Sequence, residues 1–167
     1  MERLVKAIDA INERQGQLSA LLILPLTGVV IYEVIMRYIF NAPTIWGFEA
    51  TTFLYGIHYM LGLSYTELVG GHVKVDVLVN RLPAKARAAM GLFTGIVIFM
   101  PVFTALAIWC IKFAWISCAQ LEHNSTSWAP PIYPIKILMA LGVVLLWLQG
   151  LANTLKFAIE LRRGGQQ

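Results

Sequence analysis

Four long apolar segments dominate the pattern of hydrophobic and polar positions along this chain. They cover residues 18–40, 48–69, 88–118 and 133–159. Each reaches or exceeds the ~20 residues that an α-helix needs to cross a hydrocarbon core of ~30 Å. The pattern therefore predicts an all-α integral membrane protein, in which residues 1–167 form a single domain of four transmembrane helices.

Two shorter segments predict amphipathic helices that lie in the membrane interface. Before the first span, Leu4, Ile8 and Ile11 share one helical face. The segment 70–83 is ambiguous, because its valines alternate as in a strand and also repeat as on a helix. A helix is favoured, since it satisfies its own backbone hydrogen bonds at a membrane surface. Its apolar face would contain Val75, Leu78, Val79 and Leu82.

Prolines and glycines indicate local features within the predicted spans. Pro25 and Pro101 each remove a backbone donor, so a bend is expected in the first and the third span. Pro83 is expected to open the third span, where a missing N–H has no cost. Gly91 and Gly95 stand four positions apart and predict a close approach between helices.

Composition supports the membrane class independently of the pattern. Hydrophobic residues make up 58% of the chain and charged residues 13%, against about 45–50% and about 25% in soluble domains. The formal net charge of +4 does not indicate nucleic acid, because the basic residues flank apolar helices, where they meet anionic lipid headgroups. Membrane lipids are therefore expected partners, and nucleic acid is not.

The distribution of basic residues predicts the orientation. Lysine and arginine concentrate in the N-terminal tail, in the loop between the second and third spans, and at the C-terminal end; the other two loops have none. By the positive-inside rule, both termini and the middle loop are cytoplasmic. The polar start of the chain predicts that no signal peptide is cleaved and that the first helix is retained. The basic residues in question are Arg3, Lys6, Arg14, Lys74, Arg81, Lys85, Arg87, Lys156, Arg162 and Arg163.

Charged residues near the outer end of the first span are the main candidates for function. Glu33 and Arg37 stand at i, i+4 in the order that favours pairing, and Glu49 begins the second span across a short hairpin. A charge at the bilayer centre costs at least ~2.5–3.5 kcal/mol, so this cluster implies mutual neutralisation or contact with a partner protein. A structural clamp is favoured over a transport role.

Other candidate groups favour packing over chemistry. His58 is expected to be a hydrogen-bonded packing residue, and Cys110 and Cys118 are expected to pack. His72 and Asp76 stand one helical turn apart, but two ligands without a third are a weak metal signal. No catalytic, cofactor or metal site is expected, and the chain is not expected to be an enzyme.

The order of several motifs resembles the small membrane subunit (DctQ-like) of tripartite ATP-independent periplasmic (TRAP) transporters. The motifs are the run 32–43 that contains Glu33 and Arg37, then Trp46 and Glu49, and then the segment 70–76. Leu148-Gln149-Gly150 is similar to that family's last helix. The segment 70–76 and the last helix resemble the mannitol/chloroaromatic branch in particular. The chain departs from the family where Phe48 precedes a single acid instead of a pair, and where no base precedes Gly70.

The resemblance implies a scaffold in a multi-subunit importer. Its partners would be a large membrane subunit, which moves an organic anion by a sodium-coupled mechanism, and a periplasmic solute-binding protein, all at a bacterial inner membrane. Glu33, Arg37, Trp46 and Glu49 would contact a partner, and His72 and Asp76 would brace the middle interfacial helix.

Two alternatives from other classes remain at this point. A stand-alone proton-coupled four-helix exporter would use a membrane-embedded glutamate, but Arg37 on the face of Glu33 favours the charged acid. A haem-binding anchor would need two facing histidines, whereas only His58 lies inside a predicted span.

Overall fold

The described part of the chain is built of helices. The computed structural model describes residues 1–72 and 82–163, except for the side chain of Arg163. Within these ranges there is no strand, only one isolated bridge between His123 and Pro131. The helices are α1 (Glu2–Ala20), α2 (Ile23–Tyr38), α3 (Gly47–Leu68), α4 (Ala84–Thr94), α5 (Met100–Ala119) and α6 (Tyr133–Arg163), with a π-helical turn, Gly95–Phe99, between α4 and α5.

The interruption between α1 and α2 is explained by the proline that follows it. Leu21 and Leu22 keep helical dihedral angles but leave the regular hydrogen-bond ladder. Pro25 lacks the N–H that would bond to the carbonyl of Leu21, and its ring crowds that carbonyl. The expected disturbance at Pro25 is thus present, displaced by one helical turn toward the N-terminus, and it separates what the sequence presented as one span over 18–40.

The third predicted span shows the same effect. α4, the π turn and α5 continue from Ala84 to Ala119, and the π turn lies directly before Pro101. The carbonyl of Val97, within that turn, is the one that Pro101 cannot bond. Pro83 precedes the first residue of α4, which confirms its predicted place at the start of this helix.

α6 is the central helix of the described structure. It packs against α1, α3, α4 and α5, and 44% of its most apolar stretch is buried, whereas none of the corresponding stretch of α4–α5 is. Small residues allow the close packing. A Cβ on Gly142 would lie 2.7 Å from the Met60 carbonyl oxygen, and one on Gly91 would lie 2.9 Å from the ring of Phe157. The predicted close approach at Gly91 and Gly95 is confirmed.

Consecutive spans run in opposite directions, whereas α3 and α6, which pack against each other, run parallel: Met60 lies against Gly142, and Glu67 bonds to Asn153. Ser19 contacts His58 and Gln15 contacts Ser64, so α1 runs antiparallel to α3. Thr104 contacts Trp147 and Phe99 lies against Gly150, so the segment that leads into α5 runs antiparallel to α6. The start of α1 and the end of α6 therefore lie at the same end of the bundle as the end of α3 and the start of α4. We call this the inner end, and the end with the 39–46 and 120–132 connections the outer end.

Most large apolar side chains point away from the interior. α2 has no buried residue, and α5 buries only Ala107, Ala114 and Ser117. Three helical stretches are long and apolar enough to cross a membrane: Glu2–Tyr38, Ala84–Ala119 and Tyr133–Arg162. α3 is long enough at 22 residues, but its threonines, tyrosines, His58 and Ser64 make it less apolar. The described chain is an all-helical, membrane-type protein, and the fourth span stays a prediction.

The N-terminal helix exists, and one of the three apolar residues expected at the membrane interface packs within the bundle. Ile8 is buried, whereas Leu4 and Ile11 are 53% and 54% exposed. α1 packs against α3 and α6, and small or polar residues face that contact because the helices come very close. A Cβ on Gly16 would overlap the ring of Tyr65. The buried face is Val5, Ile8, Asn12, Gly16 and Ser19. The other predicted interfacial helix lies almost entirely outside the described residues.

Candidate functional site

At the outer end, one carboxylate joins two helices through what we call the outer clamp: Glu33, Arg37, Thr44 and Gly47. Arg37 Nη2 donates to Glu33 Oε1 at 2.6 Å. The hydroxyl of Thr44 donates to Glu33 Oε2, and the Thr44 backbone N–H lies 3.3 Å from the same oxygen. Gly47 N–H donates to Thr44 Oγ1 at 3.0 Å. The clamp fixes the end of α2 against the start of α3.

Gly47 is required by the geometry of this clamp. A Cβ at this position would lie 2.5 Å from Glu33 Oε2 and 2.6 Å from Thr44 Oγ1. Arg37 is oriented differently from the acid it binds: its side chain is 52% exposed, against 13% for Glu33. The clamp therefore shields most of its acid from the surface and presents its base there.

Trp46 lies beside the clamp and is held by an aromatic neighbour. Its ring stacks on Tyr32, with ring centroids 5.7 Å apart and planes inclined by 20°. Such offset stacking contributes about 0.5–1.5 kcal/mol beyond burial. Trp46 is half-buried. The stacking is a further contact between α2 and the short connection that leads to α3.

Glu49 is placed apart from the pair that the sequence grouped it with. It is buried, at 6% exposure, and its Oε1 accepts a hydrogen bond from Asn124 Nδ2 at 3.4 Å. Its Oε2 has no hydrogen-bond partner among the described residues. Glu49 thus faces the loop between α5 and α6 instead of joining Glu33 and Arg37.

That loop is itself closed by an ion pair. Lys136 Nζ lies 2.5 Å from Glu122 Oε2, and its ammonium lies 4.0 Å from the centroid of the Phe113 ring. The hydrogen bond from Lys136 lowers the pKa of Glu122 below its ordinary value. Backbone bonds from Asn124 N–H to the Pro130 carbonyl and from Ile132 N–H to the Glu122 carbonyl complete the loop.

At the inner end, polar side chains of α1, α3 and α6 form a second cluster around Gln149. Gln149 is completely buried. It accepts a hydrogen bond from Asn12 Nδ2 at 2.7 Å and donates from Nε2 to Asp9 Oδ1 at 2.9 Å and to Asn153 Oδ1 at 3.3 Å. We call this cluster the inner polar network; its members are Asp9, Asn12, Glu67, Gln149, Asn153 and Lys156.

Ionised groups extend the network toward the inner surface. Lys156 Nζ donates to Asp9 Oδ1 at 2.9 Å, and Asn153 Nδ2 donates to Glu67 Oε1 at 2.8 Å. His72 Nε2 lies 3.7 Å from Glu67 Oε2. α1, α3 and α6 are therefore held in one register, because each contributes side chains that satisfy the others.

The histidines and the proposed brace are placed as follows. His58 Nδ1 lies 2.8 Å from the Ser19 carbonyl, which can only accept, so this histidine is the hydrogen-bonded packing residue that the sequence predicted. His72 contacts α3, and Asp76 lies outside the described residues. Within residues 1–72 and 82–163, no three His, Cys, Asp or Glu side chains are grouped as metal ligands.

Sequence reasoning missed the inner polar network. The available signal was two amides inside the last apolar segment, Gln149 and Asn153, which share one helical face. Polar groups at such depth are costly unless they are satisfied, so they indicate partners within the bundle. Their partners Asp9 and Asn12 belong to the segment that was expected at the membrane interface, and no sequence pattern indicated that it packs into the bundle.

Long apolar helices joined by hydrogen-bonded polar clusters define the chain as a helical membrane protein. Comparison with known families then identifies it further: residues 26–159, which are 134 of the 167 residues, match the model for the DctQ component of tripartite ATP-independent periplasmic transporters. The chain belongs to this family. The resemblance to the small subunit of TRAP transporters is therefore confirmed, while the assignment to the mannitol/chloroaromatic branch stays a prediction.

Two characterised relatives illustrate the family. The chain is 30% identical over 93 residues to the sialic acid TRAP transporter permease protein SiaT of Haemophilus influenzae (strain 86-028NP), covering 56% of this chain and 15% of that protein. It is 37% identical over 62 residues to the C4-dicarboxylate TRAP transporter small permease protein DctQ of Vibrio cholerae serotype O1 (strain ATCC 39315 / El Tor Inaba N16961), covering 37% of this chain and 27% of that protein. The matches thus span less than a third of either relative.

Proposed function

We propose that this chain is a scaffolding membrane subunit that supports the large transport subunit of a sodium-coupled, binding-protein-dependent importer in a bacterial inner membrane. The observation that carries this proposal is that charged side chains of this protein bond to other groups of the same chain. Glu33 is bonded by Arg37 and Thr44, and Asp9 is bonded by Lys156 and Gln149. These groups hold the chain's own helices together, as expected of a rigid support.

The outward surface of α2 is our proposed contact for the large subunit. None of its 16 residues is buried, and within the described structure it packs mainly on α3. Arg37 is half-exposed at the outer end of this surface, next to Trp46. A base presented on an apolar helix at the outer membrane interface suits an acidic or polar group of the large subunit or of the docked binding protein.

We further propose a topology of four spans with both termini in the cytoplasm. α3 has 22 residues, which is ~33 Å at ~1.5 Å per residue and matches the ~30 Å core. Its polar groups are shielded, since Glu49 and Ser64 are buried and His58 bonds to α1. The helix directions put the described basic residues at the starts of α1 and α4 and at the end of α6 near the inner end, and we propose from the positive-inside rule that this end is cytoplasmic.

The solute class follows from the relatives alone. The names of the two relatives specify sialic acid and C4-dicarboxylates, and both are organic acids. We propose an organic anion as the solute of the complex that contains this chain. The chain itself has no proposed solute site, so the identity of the anion would be set by its partners.

The proposal is tested by co-purification and reconstitution. An affinity tag on this chain should retain a large hydrophobic membrane subunit expressed from the same cells, in a fixed stoichiometry that persists through size-exclusion chromatography in detergent. A chain that elutes alone under conditions in which both proteins are present and folded would contradict a supporting role. The rival exporter function predicts instead that the chain alone moves a cationic compound in vesicles against a proton gradient.

A further inference from the structure

A long cleft lies between the two arms of the bundle at its inner half. α6 packs against α3 on one side and against α4 and α5 on the other, and these two arms make few contacts with each other. The cleft between them has a volume of about 810 Å³. Its floor is formed by α6, with Gly150, Asn153, Thr154 and Phe157.

The wall contributed by α4, the π turn and α5 is one continuous apolar stripe. Positions 90, 91, 94, 95, 98, 99, 102 and 103 all line the cleft, which is the spacing of one helical face. Most of these positions carry Met, Ile, Val or Phe. At Gly91 and Gly95 no side chain projects into the cleft. From Arg87 to Phe103 the stripe covers 16 steps, or ~24 Å at ~1.5 Å per residue. Half of a bilayer that is ~40–45 Å thick with its headgroups has nearly this length.

A cation stands at the inner mouth of this stripe. Arg87 lines the cleft and is exposed, and among the described residues no hydrogen bond or ion pair engages its guanidinium. The acid in the same mouth, Glu67, is already bonded by Asn153 at 2.8 Å and approached by His72 at 3.7 Å. The mouth therefore holds a guanidinium that no acid of the described residues pairs with, beside the separately bonded carboxylate of Glu67 and above a lining that is apolar for most of its length.

We propose that this cleft binds one phospholipid with an anionic headgroup, its phosphate on Arg87 and one acyl chain along the stripe from Met90 to Phe103. The unpaired guanidinium of Arg87 matches a lipid phosphate, and the length of the stripe matches one leaflet. Basic pockets between transmembrane helices on the cytoplasmic side are suited to such headgroups. A free phosphate would use only the mouth and leave the apolar stripe without an occupant. The proposal relies on the inner end facing the cytoplasm and is independent of the large subunit.

Native mass spectrometry on the full-length chain, delipidated in detergent and then given lipid, tests this proposal. The probes are phosphatidylglycerol and phosphatidylcholine with the same acyl chains. We expect one phosphatidylglycerol to be retained per chain in preference to phosphatidylcholine. Arg87→Gln should weaken that retention about fivefold, as expected for one basic residue near a membrane surface. Arg162→Gln, which removes an exposed inner-end charge outside the cleft lining, should leave it unchanged.

A second pair of variants tests the apolar part of the site. Ile98→Trp places a large side chain in the cleft and should abolish retention, while Ile96→Trp, on the same turn but outside the lining, should not; the two isoleucines are 58% and 54% exposed. Equal retention of the two lipids, unchanged retention in both Arg87→Gln and Ile98→Trp, or competition by inorganic phosphate alone would overturn the proposal. The proposal would also be overturned if Ile98→Trp no longer bound the large subunit and the free chain retained no lipid. A protein segment would then be the occupant of the cleft. Uptake is not measured, so failure here is distinct from failure of the proposed function.

Discussion

Replacing Gln149 with leucine tests whether the inner polar network holds the bundle together. Leucine has a similar volume, so the change removes hydrogen bonds with little change in packing. Three bonds are lost, to Asn12, Asp9 and Asn153. At an average of ~0.6 kcal/mol for such bonds in membranes, they sum to about 2 kcal/mol. Asn12 is fully buried and would be left unpaired, which adds about 1–3 kcal/mol.

We therefore expect Gln149→Leu to destabilise the chain by about 3–5 kcal/mol. The assay is reversible unfolding in mixed detergent and SDS micelles, followed by tryptophan fluorescence. Gln120→Leu is the matched control, because Gln120 is exposed in the loop after α5 and its replacement should change stability by less than about 0.5 kcal/mol.

A double variant makes the test sharper. Once Gln149 is leucine, Asn12 has lost the partner of its amide, so Asn12→Leu in that background should recover part of the lost stability. The two single changes would then be strongly non-additive. Equal stability of Gln149→Leu and Gln120→Leu, or simple additivity in the double variant, would refute the reasoning that this network fixes the register of α1, α3 and α6.

Three further predictions concern the outer end. Arg37→Glu should abolish uptake by the complex, whereas Arg37→Lys should retain part of it, because the proposed contact needs a base; uptake assays in cells with matched expression measure this. Gly47→Ala should destabilise the chain by about 1–3 kcal/mol through overpacking, whereas Gly28→Ala, with nothing within 4 Å of its Cβ, should be neutral or stabilising; melting temperatures compare the two. The hydrogen bond from Lys136 lowers the pKa of Glu122, so the ion pair stabilises the fold above the ordinary pKa of 4.5, and this stabilisation is lost as pH falls below that value. Glu122→Gln should therefore make the melting temperature depend less on pH in that acidic range.

Each of these three predictions would be contradicted by a specific result. Normal uptake by Arg37→Glu in an assembled complex would remove the proposed partner contact. Equal melting temperatures for Gly47→Ala and Gly28→Ala would show that the clamp tolerates a methyl group. An acid-dependent melting profile that Glu122→Gln leaves unchanged would assign that dependence to other carboxylates.

The helices and their breaks could be predicted from the sequence because their causes are local. Length and apolarity indicated the helices of the first, third and fourth spans. Pro25 and Pro101 indicated where the ladders are disturbed, with an error of one turn, because the missing donor affects the carbonyl four residues earlier. The Glu33–Arg37 pair followed from i, i+4 spacing in the same way.

The rest depends on contacts between residues distant in sequence. Asn12 and Gln149 are 137 positions apart, and Asp9 and Lys156 are 147 apart, so no window of sequence joins them. The grouping of Glu49 with Glu33 assumed that neighbours across a short hairpin meet, whereas the start of α3 turns Glu49 toward Asn124. The family resemblance supplied the class of protein, since ordered motifs carry that information without any knowledge of packing.

Transport by reconstituted vesicles tests the supporting role most directly. Sodium-driven uptake of an organic anion delivered by its binding protein should be measured in three preparations: the large subunit with this chain, the large subunit alone, and this chain alone. We expect uptake only when both membrane subunits are present. Solute movement in vesicles that contain this chain alone, or undiminished uptake by the large subunit without it, would rule out a supporting role.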